Sequence, residues 1–316
     1  MNAHVAPVFE VDTFDQLVAI SQTETSANED VARLQKIRKP LKKLHKLVGM
    51  QSLKQSLLYQ VLFFVQDMNS DQMMHTALMG PPGVGKTTVA KIMARIYRDL
   101  GFLSEGRLIC VTREDLVGQY LGETAIKTRT VLERSIGNVL FIDEAYSLGN
   151  GHQEDMYAKE CVDTLTAFLS ENTEDFVCII AGYESALQRC FFSSNQGLDR
   201  RFPWKHTIEH YTPAQLTMMF KQQLLGLKWN FRIGKRDACM AMVEEKISHD
   251  CRMFENNGGD VRNFVNACMM AHSKRVFGSK RSFKKRLLPS DINDGYTLFK
   301  KSKKSHEDSA PQHMYL

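Results

Sequence analysis

Apolar and polar positions change their period from block to block along the chain. Short apolar runs stand at 75–79 (HTALM), 107–112 (RLICVT), 139–142 (VLFI), 176–181 (FVCIIA) and 205–209 (KHTIE). Helical periods lie between them, clearest over 87–100, where Val89, Ile92, Met93, Ile96, Tyr97 and Leu100 recur at i, i+3, i+4 spacing. Strands alternating with helices predict an α/β fold whose five-stranded parallel sheet is covered by helices on both faces. After Tyr211 no further strand run is evident. Thr212-Pro213 reads as an N-cap followed by Pro at the first helical position, and residues 213–298 predict a small all-helical lid. Residues 31–66 predict two helices broken near Pro40 and Gly49. Residues 1–30 read as a polar extension with one weakly amphipathic piece after Thr13, and 299–316 as a polar tail. The expected division is therefore 1–30, 31–212, 213–298 and 299–316.

Composition narrows the class without naming a chemistry. With 316 residues, 43% hydrophobic and 24% charged, the chain is an ordinary globular protein long enough for two domains. Seven scattered cysteines, none in C-x-x-C spacing, argue against a disulfide framework or a structural zinc site. They suit a reducing intracellular compartment, cytoplasm or nucleus. The N-terminal residues have neither a basic nor an apolar signal region, so no secretory signal is expected. The greasiest early run, Leu57 to Val65, is nine residues interrupted by Gln60, too short to cross a bilayer, and no membrane partner is expected.

The formal charge of +5 is uneven. Residues 274–304 hold 11 Lys+Arg against only Asp291 and Asp294, while the other residues hold 30 basic and 34 acidic side chains. A mildly acidic body with a basic C-terminal stretch differs from a uniformly basic nucleic-acid coat.

Candidate chemistry centres on Gly80-Pro81-Pro82-Gly83-Val84-Gly85-Lys86-Thr87-Thr88, which contains the pattern GxxxxGK[ST]. It follows a predicted strand and opens the best predicted helix. Gly83 and Gly85 let the backbone turn N–H groups toward a polyphosphate, and the helix N-terminus adds positive partial charge. Lys86 suits the β- and γ-phosphates of ATP, and Thr87 offers a hydroxyl to Mg²⁺. Val139-Leu-Phe-Ile142-Asp143-Glu144 supplies a second element, two acids ending an apolar strand. Asp143 suits the Mg²⁺ shell, and Glu144 suits a base that orients the attacking water.

These motifs together with LVGM (47–50), DLVGQYLGETAIKT (115–128), FIDEAYSL (141–148), IIAGYES (179–185) and GLDRRF (197–202) resemble the AAA+ ATPases, and within them the CbbX/CfxQ branch related to SpoVK. The resemblance covers roughly residues 40–275. It implies a homo-oligomeric ring, a hexamer, with ATP between neighbouring subunits and Leu47 and Val48 against the adenine. It implies that Arg201 is the finger that reaches a neighbour's γ-phosphate, with Arg200 the alternative. Arg262, in Gly259-Asp260-Val261-Arg262, matches the sensor-2 arginine. Tyr120, Leu121 and Gly122 match an aromatic–aliphatic–glycine pore loop that grips a peptide without reading its sequence. One departure stands out: most AAA+ members end the sensor-1 strand on a polar side chain, whereas this one ends Ala181-Gly182-Tyr183, as is usual in the branch.

The lesser features read as structural. His206 and His210 lie on one predicted strand, too far apart to chelate, and the dispersed methionines (Met73, Met74, Met218, Met219, Met240, Met242, Met269, Met270) read as core fillers. The expectation is a Mg²⁺-dependent ATPase ring that remodels or threads an unknown protein client. Two alternatives stay open: a helicase-loader or initiator type that grips nucleic acid through residues 274–304, and a nucleotide-switched scaffold.

Overall fold

The structure is a computed structural model and describes residues 9–23, 28–68, 73–120, 122–149, 155–172, 174–195, 197–279 and 284–307. The chain divides into two compact units, one of residues 1–80 and 85–209, the other of 81–84 and 210–316.

The first unit opens with four helices, α1 (Phe14–Ile20), α2 (Glu29–Lys36), α3 (Arg38–His45) and α4 (Gln51–Val65). Thr13 caps α1 through a full capping box with Gln16, and the helix buries Phe14, Leu17 and Val18. The extension is thus more than a polar lead-in. The stretch expected as two helices is three, because Pro40 falls in the first turn of α3, where its missing N–H leaves no intrahelical bond unmade. The break comes instead at Ile37 and at the Leu47–Met50 turn before α4.

Five strands follow: β1 (Thr76–Met79), β2 (Leu108–Val111), β3 (Val139–Ile142), β4 (Val177–Gly182) and β5 (Trp204–Thr207). They form one parallel sheet in the order β2-β3-β4-β1-β5. β1, β3 and β4 are buried along their whole length, as a sheet covered on both faces requires. The intervening helices are α5 (Lys86–Leu100), α6 (Arg113–Leu116), α7 (Glu123–Glu133), α8 (Met156–Glu171) and the short α9 (Glu184–Ala186) and α10 (Leu198–Arg201). Ala77, Met79, Leu140, Ile142, Cys178 and Ile180 pack in one cluster with Val131 and Leu132 of α7 and Cys161, Val162 and Leu165 of α8.

Gln60, the interruption in the apolar run of α4, is buried at 1% exposure for a reason. Its amide nitrogen donates to the Tyr97 hydroxyl at 3.2 Å, and its oxygen lies 2.7 Å from His206 Nε2. His206 Nδ1 is 2.6 Å from the Ser56 hydroxyl. The imidazole is therefore a core connector, its pKa pushed down to about 4 by burial. Among the described residues no group of three or more His, Cys, Asp or Glu could hold a metal. None of the described helices is long and apolar enough to cross a membrane.

The second unit is built on α11 (Pro213–Gly226), α12 (Arg236–His249), α13 (Gly258–Arg275) and α14 (Pro289–Glu307). Thr212 and Pro213 start α11 as the sequence suggests, with Gln215 completing a capping box. An aromatic cluster of Phe254, Phe264, Tyr296 and Phe299 joins α13 to α14. Three features depart from expectation. A two-residue parallel pair, β6 (Asn230–Phe231) with β7 (Arg286–Leu287), is added to the helices. The helix α14 runs to Glu307 and buries Phe299, so the polar tail begins later than residue 299. The methionines are also less internal than core filling implies: of those singled out only Met74 is buried, and Met218 and Met270 are exposed.

Candidate active site

In the first unit the strand order sets the site. β4 lies between β1 and β3, so the C-terminal ends of the three strands, carrying Gly80, Asp143 and Gly182, are neighbours. This is the crevice position at which parallel α/β sheets bind ligands. Gly80 cannot be replaced without a clash, since a Cβ there would meet the Ile208 carbonyl oxygen at 2.4 Å. Its N–H donates to the Gly182 carbonyl at 3.0 Å, joining the start of the glycine loop to the end of β4. Gly85, at φ +99°, turns the chain into α5.

Lys86, the first residue of α5, is buried to 7% exposure, and its ammonium donates to the Gly80 carbonyl at 2.7 Å. Burial lowers its pKa, while the charges of Glu144 and Asp143 act to raise it. The three side chains therefore share one electrostatic environment. Glu144 is half-buried with its pKa raised, chiefly by burial and further by Asp143, with Lys86 opposing. Its backbone is left-handed, φ 51° and ψ 43°, a conformation that costs a non-glycine residue about 1 to 2 kcal/mol. Asp143 Oδ1 accepts the Glu144 N–H at 3.1 Å, which holds that turn. Thr87 is half-buried and Thr88 exposed in the first turn of α5. Leu47 and Val48 are half-buried in the turn before α4.

Two positioning groups in this unit have no motif to announce them. Lys54, 6% exposed, donates to the carbonyls of His45 (3.1 Å) and Leu47 (2.8 Å), pinning the turn that carries Leu47 and Val48. Arg113 donates to the Ser147 carbonyl and pairs with Asp155, tying the segment after Glu144 to the start of α8.

At the sensor-1 slot, Tyr183 is partly exposed, its ring centroid 5.8 Å from the Lys86 ammonium. The two arginines after β4 differ sharply. Arg201 is half-buried, donating to Ser170 Oγ (2.9 and 3.2 Å) and to the Gly197 carbonyl (3.0 Å). Arg200 is exposed and makes no hydrogen bond or ion pair among the described residues. Tyr120 is 68% exposed on a loop stapled to α7: Gly118 N–H donates to Thr124 Oγ1, and the N–H groups of Gln119 and Tyr120 donate to Glu123. Gly122, at φ +84°, starts that helix, and Leu121 lies outside the described residues.

In the second unit, Pro82 and Gly83 of the glycine loop are held by the turn before α13. Asn257 Nδ2 donates to the Pro82 carbonyl at 3.1 Å, Gly258 N–H donates to the Gly83 carbonyl at 3.0 Å, and the Tyr211 hydroxyl donates to the Val84 carbonyl at 2.7 Å. A Cβ on Gly83 would meet the Asn256 carbonyl oxygen at 1.9 Å, so the approach requires glycine. Asn257 is 1% exposed at φ 48° and ψ −119°, the first central position of a type II′ turn, where glycine dominates. Arg262 is exposed and makes no hydrogen bond or ion pair among the described residues. Within this unit, Asn257 and Gly258 are the residues of its segment that hydrogen-bond the glycine loop.

Comparison with known proteins agrees with this architecture. The model of the AAA family, the ATPases associated with various cellular activities, matches residues 76–191. A cfxQ-like protein of Acanthamoeba polyphaga mimivirus is 35% identical over 292 residues, covering 92% of this chain and 71% of the viral protein. A chloroplastic ribulose bisphosphate carboxylase/oxygenase activase of Cyanidioschyzon merolae is 37% identical over 204 residues, 65% of each chain. Among solved structures the FIGL-1 AAA domain has a TM-score of 0.55 at 14% identity, covering 93% of this chain and 95% of that one, a likeness of fold. Glycine loop, paired strand-end acids, sheet order and relatives agree: this chain belongs to the AAA+ ATPases, in their CfxQ branch, and is an ATP hydrolase.

Proposed function

We propose that the chain works as a homo-oligomeric ring, a hexamer, in which Mg²⁺-dependent ATP hydrolysis drives the threading or remodelling of a protein client. The observation that carries the chemistry is the grouping of Lys86, Asp143 and Glu144 beside the C-terminal ends of β1 and β3, the two strands that flank β4, with Glu144 held in a strained backbone. Lys86 binds the β- and γ-phosphates, the loop from Gly80 to Thr88 cradles them, and Glu144 takes the proton of the attacking water. Burial that raises the Glu144 pKa makes it a better proton acceptor than a solvated carboxylate.

The residues fit a hard divalent cation. Two adjacent, partly desolvated acids repel one another, and a cation among them relieves that cost. Thr87 and Asp143 would hold it, and when bound it neutralises charge building on the phosphates.

Arg201 is the proposed finger in trans. Its anchors on Ser170 and Gly197 keep the guanidinium oriented before a neighbour arrives, and exposed Arg200 is the alternative. Arg262 and the pair Leu47 and Val48 are assigned to sensor 2 and the adenine through the family pattern. Tyr120 and Gly122 suit client contact because the ring is exposed while its loop is stapled at the base. The client is a polypeptide segment gripped without sequence readout.

A Glu144→Gln variant tests the reading. It is expected to bind ATP with wild-type affinity, to hydrolyse it about 100-fold or more slowly, and to co-purify a protein from its native host only with ATP present. Adding Tyr120→Ala is expected to release that protein while nucleotide stays bound. Wild-type turnover by Glu144→Gln would remove the base assignment, and capture that ignores Tyr120 would remove the pore loop.

A further inference from the structure

Nothing in the sequence ties the basic C-terminal stretch to hydrolysis, yet one of its lysines ends beside the turn that holds the glycine loop. Lys303, on α14, donates to Asp260 Oδ2 at 2.7 Å, and the Asp260 side chain is only 2% exposed. The same oxygen accepts the Asn256 N–H at 2.8 Å. Asn256 opens the strained turn whose next two residues, Asn257 and Gly258, bond the carbonyls of Pro82 and Gly83.

We infer that Lys303 is a positioning residue for the nucleotide: by neutralising Asp260 it fixes the Asn256–Gly259 turn, and through that turn the Pro82–Gly83 backbone of the phosphate loop. The inference rests on reading residues 80–88 as that loop. The physical reason is the cost of a buried carboxylate. With Lys303 in place, Asp260 is a paired acceptor that holds the Asn256 N–H. Without it, the carboxylate is a buried, unpaired charge that must turn toward water, and that rotation alters the bond to Asn256. A turn already held against its backbone preference at Asn257 gives way first.

The molecule contains its own control. Lys300 lies on the same helix three residues earlier and pairs at 2.7 Å with Asp250, which also accepts the Tyr296 hydroxyl. That pair clamps α14 to the end of α12 without touching the 256–259 turn. Both lysines are partly covered and each matches one acid, so deleting either removes one ion pair from the same helix.

The test compares Lys303→Met with Lys300→Met in the full chain. Methionine keeps an apolar stem near the Phe299 ring, 6.0 Å from the Lys303 ammonium, and removes only the charge. For Lys303→Met the KM for ATP and the Kd for a fluorescent ATP analogue are expected to rise about tenfold, as when an outer-shell partner of a binding site is lost. The kcat is expected to stay within about threefold. Lys303→Arg is expected to restore both constants, and Lys300→Met to lower the Tm while leaving KM unchanged. Should Lys303→Met fail to fold, Asp260→Ala serves instead: it removes the oxygen that accepts the Asn256 N–H, and the same rise in KM is expected. Wild-type nucleotide affinity in Lys303→Met, or an equal rise in Lys300→Met, overturns the inference. Lys86→Ala in the same assay reports separately on the loop: retained ATP affinity there would sink the reading of residues 80–88 and the relay with it.

Discussion

Between α4 and the sheet, Gln60, Tyr97 and His206 form a buried polar cluster in which each group meets a partner and none carries charge at neutral pH. At the C-terminal ends of β1, β3 and β4, Lys86, Asp143 and Glu144 are charged, crowded and partly desolvated, and Glu144 sits in a left-handed backbone. The same unit holds both. The first arrangement is what a buried polar network needs for rigidity. The second is unfavourable for folding and favourable for a triphosphate and a cation, which bring the missing charges with them. Stability and chemistry are therefore assigned to different parts of one sheet.

The largest effect expected from challenging this division lies outside both sets, at the arginines. Arg201→Ala is expected to lower hydrolysis by about 1000-fold, the usual weight of a finger, while melting temperature falls little and ATP affinity stays near wild type. Arg200→Ala is expected to stay within about fivefold on the same scale. Phosphate-release rates for the two variants decide between them, and the reverse order would assign the finger to Arg200.

The next effect falls on two buried imidazoles, His206 of the neutral cluster and His75, which stands just before β1 and accepts the Cys178 N–H at 3.1 Å. Burial pushes His75 and His206 down to about 4 from an ordinary value near 6.5. Between those values the unfolded chain binds more protons than the folded one, so stability falls as pH drops through the window from 6.5 to 4. The loss is on the order of 3 kcal/mol for each imidazole at the acid end. Denaturant melts at pH 7, 6, 5 and 4 measure it, and His206→Gln is expected to flatten the slope. An unchanged slope in that variant would mean that carboxylates dominate the acid limb.

The smallest effect is a gain. Glu144→Asn places in the left-handed region a residue that tolerates it and removes a crowded carboxylate. Stability at pH 7 is expected to rise by about 1 kcal/mol while hydrolysis is lost. A loss of stability would show that Glu144 contributes to folding and that the division is less clean than drawn.

The sequence carried the parts of this molecule that are periodic or local. Val139–Ile142 and the 87–100 period are long enough to register as strand and helix, and GxxxxGK[T] is a local pattern whose geometry follows from its glycines. The Thr13 and Thr212 caps were legible for the same reason. What stayed hidden depends on pairs distant in sequence. Lys54 with Leu47, Arg113 with Ser147, and Asn257 with Pro82 are polar contacts across 7 to 175 residues, and no spacing rule predicts them. β6 and β7 have two residues each, too few to show alternation. Arg262 stands out through its family pattern, whereas Asn257 five residues earlier is silent: an asparagine before Gly-Gly reads as an ordinary turn.

Asn257 also bears on how this lineage can change. Its backbone, φ 48° and ψ −119°, favours glycine, while its side chain donates to Pro82 and accepts from Tyr211, two bonds of opposite sense that an amide provides at once. Glycine would relax the turn and release the loop. Aspartate would keep the acceptor and set a negative oxygen against the Pro82 carbonyl. The best residue for the turn and the best residue for the clasp are different amino acids, and no single-step neighbour improves one without surrendering the other. Drift at this position is therefore closed in both directions, and a homologue that lacks the asparagine is expected to have rebuilt the contact to its glycine loop from another part of the chain.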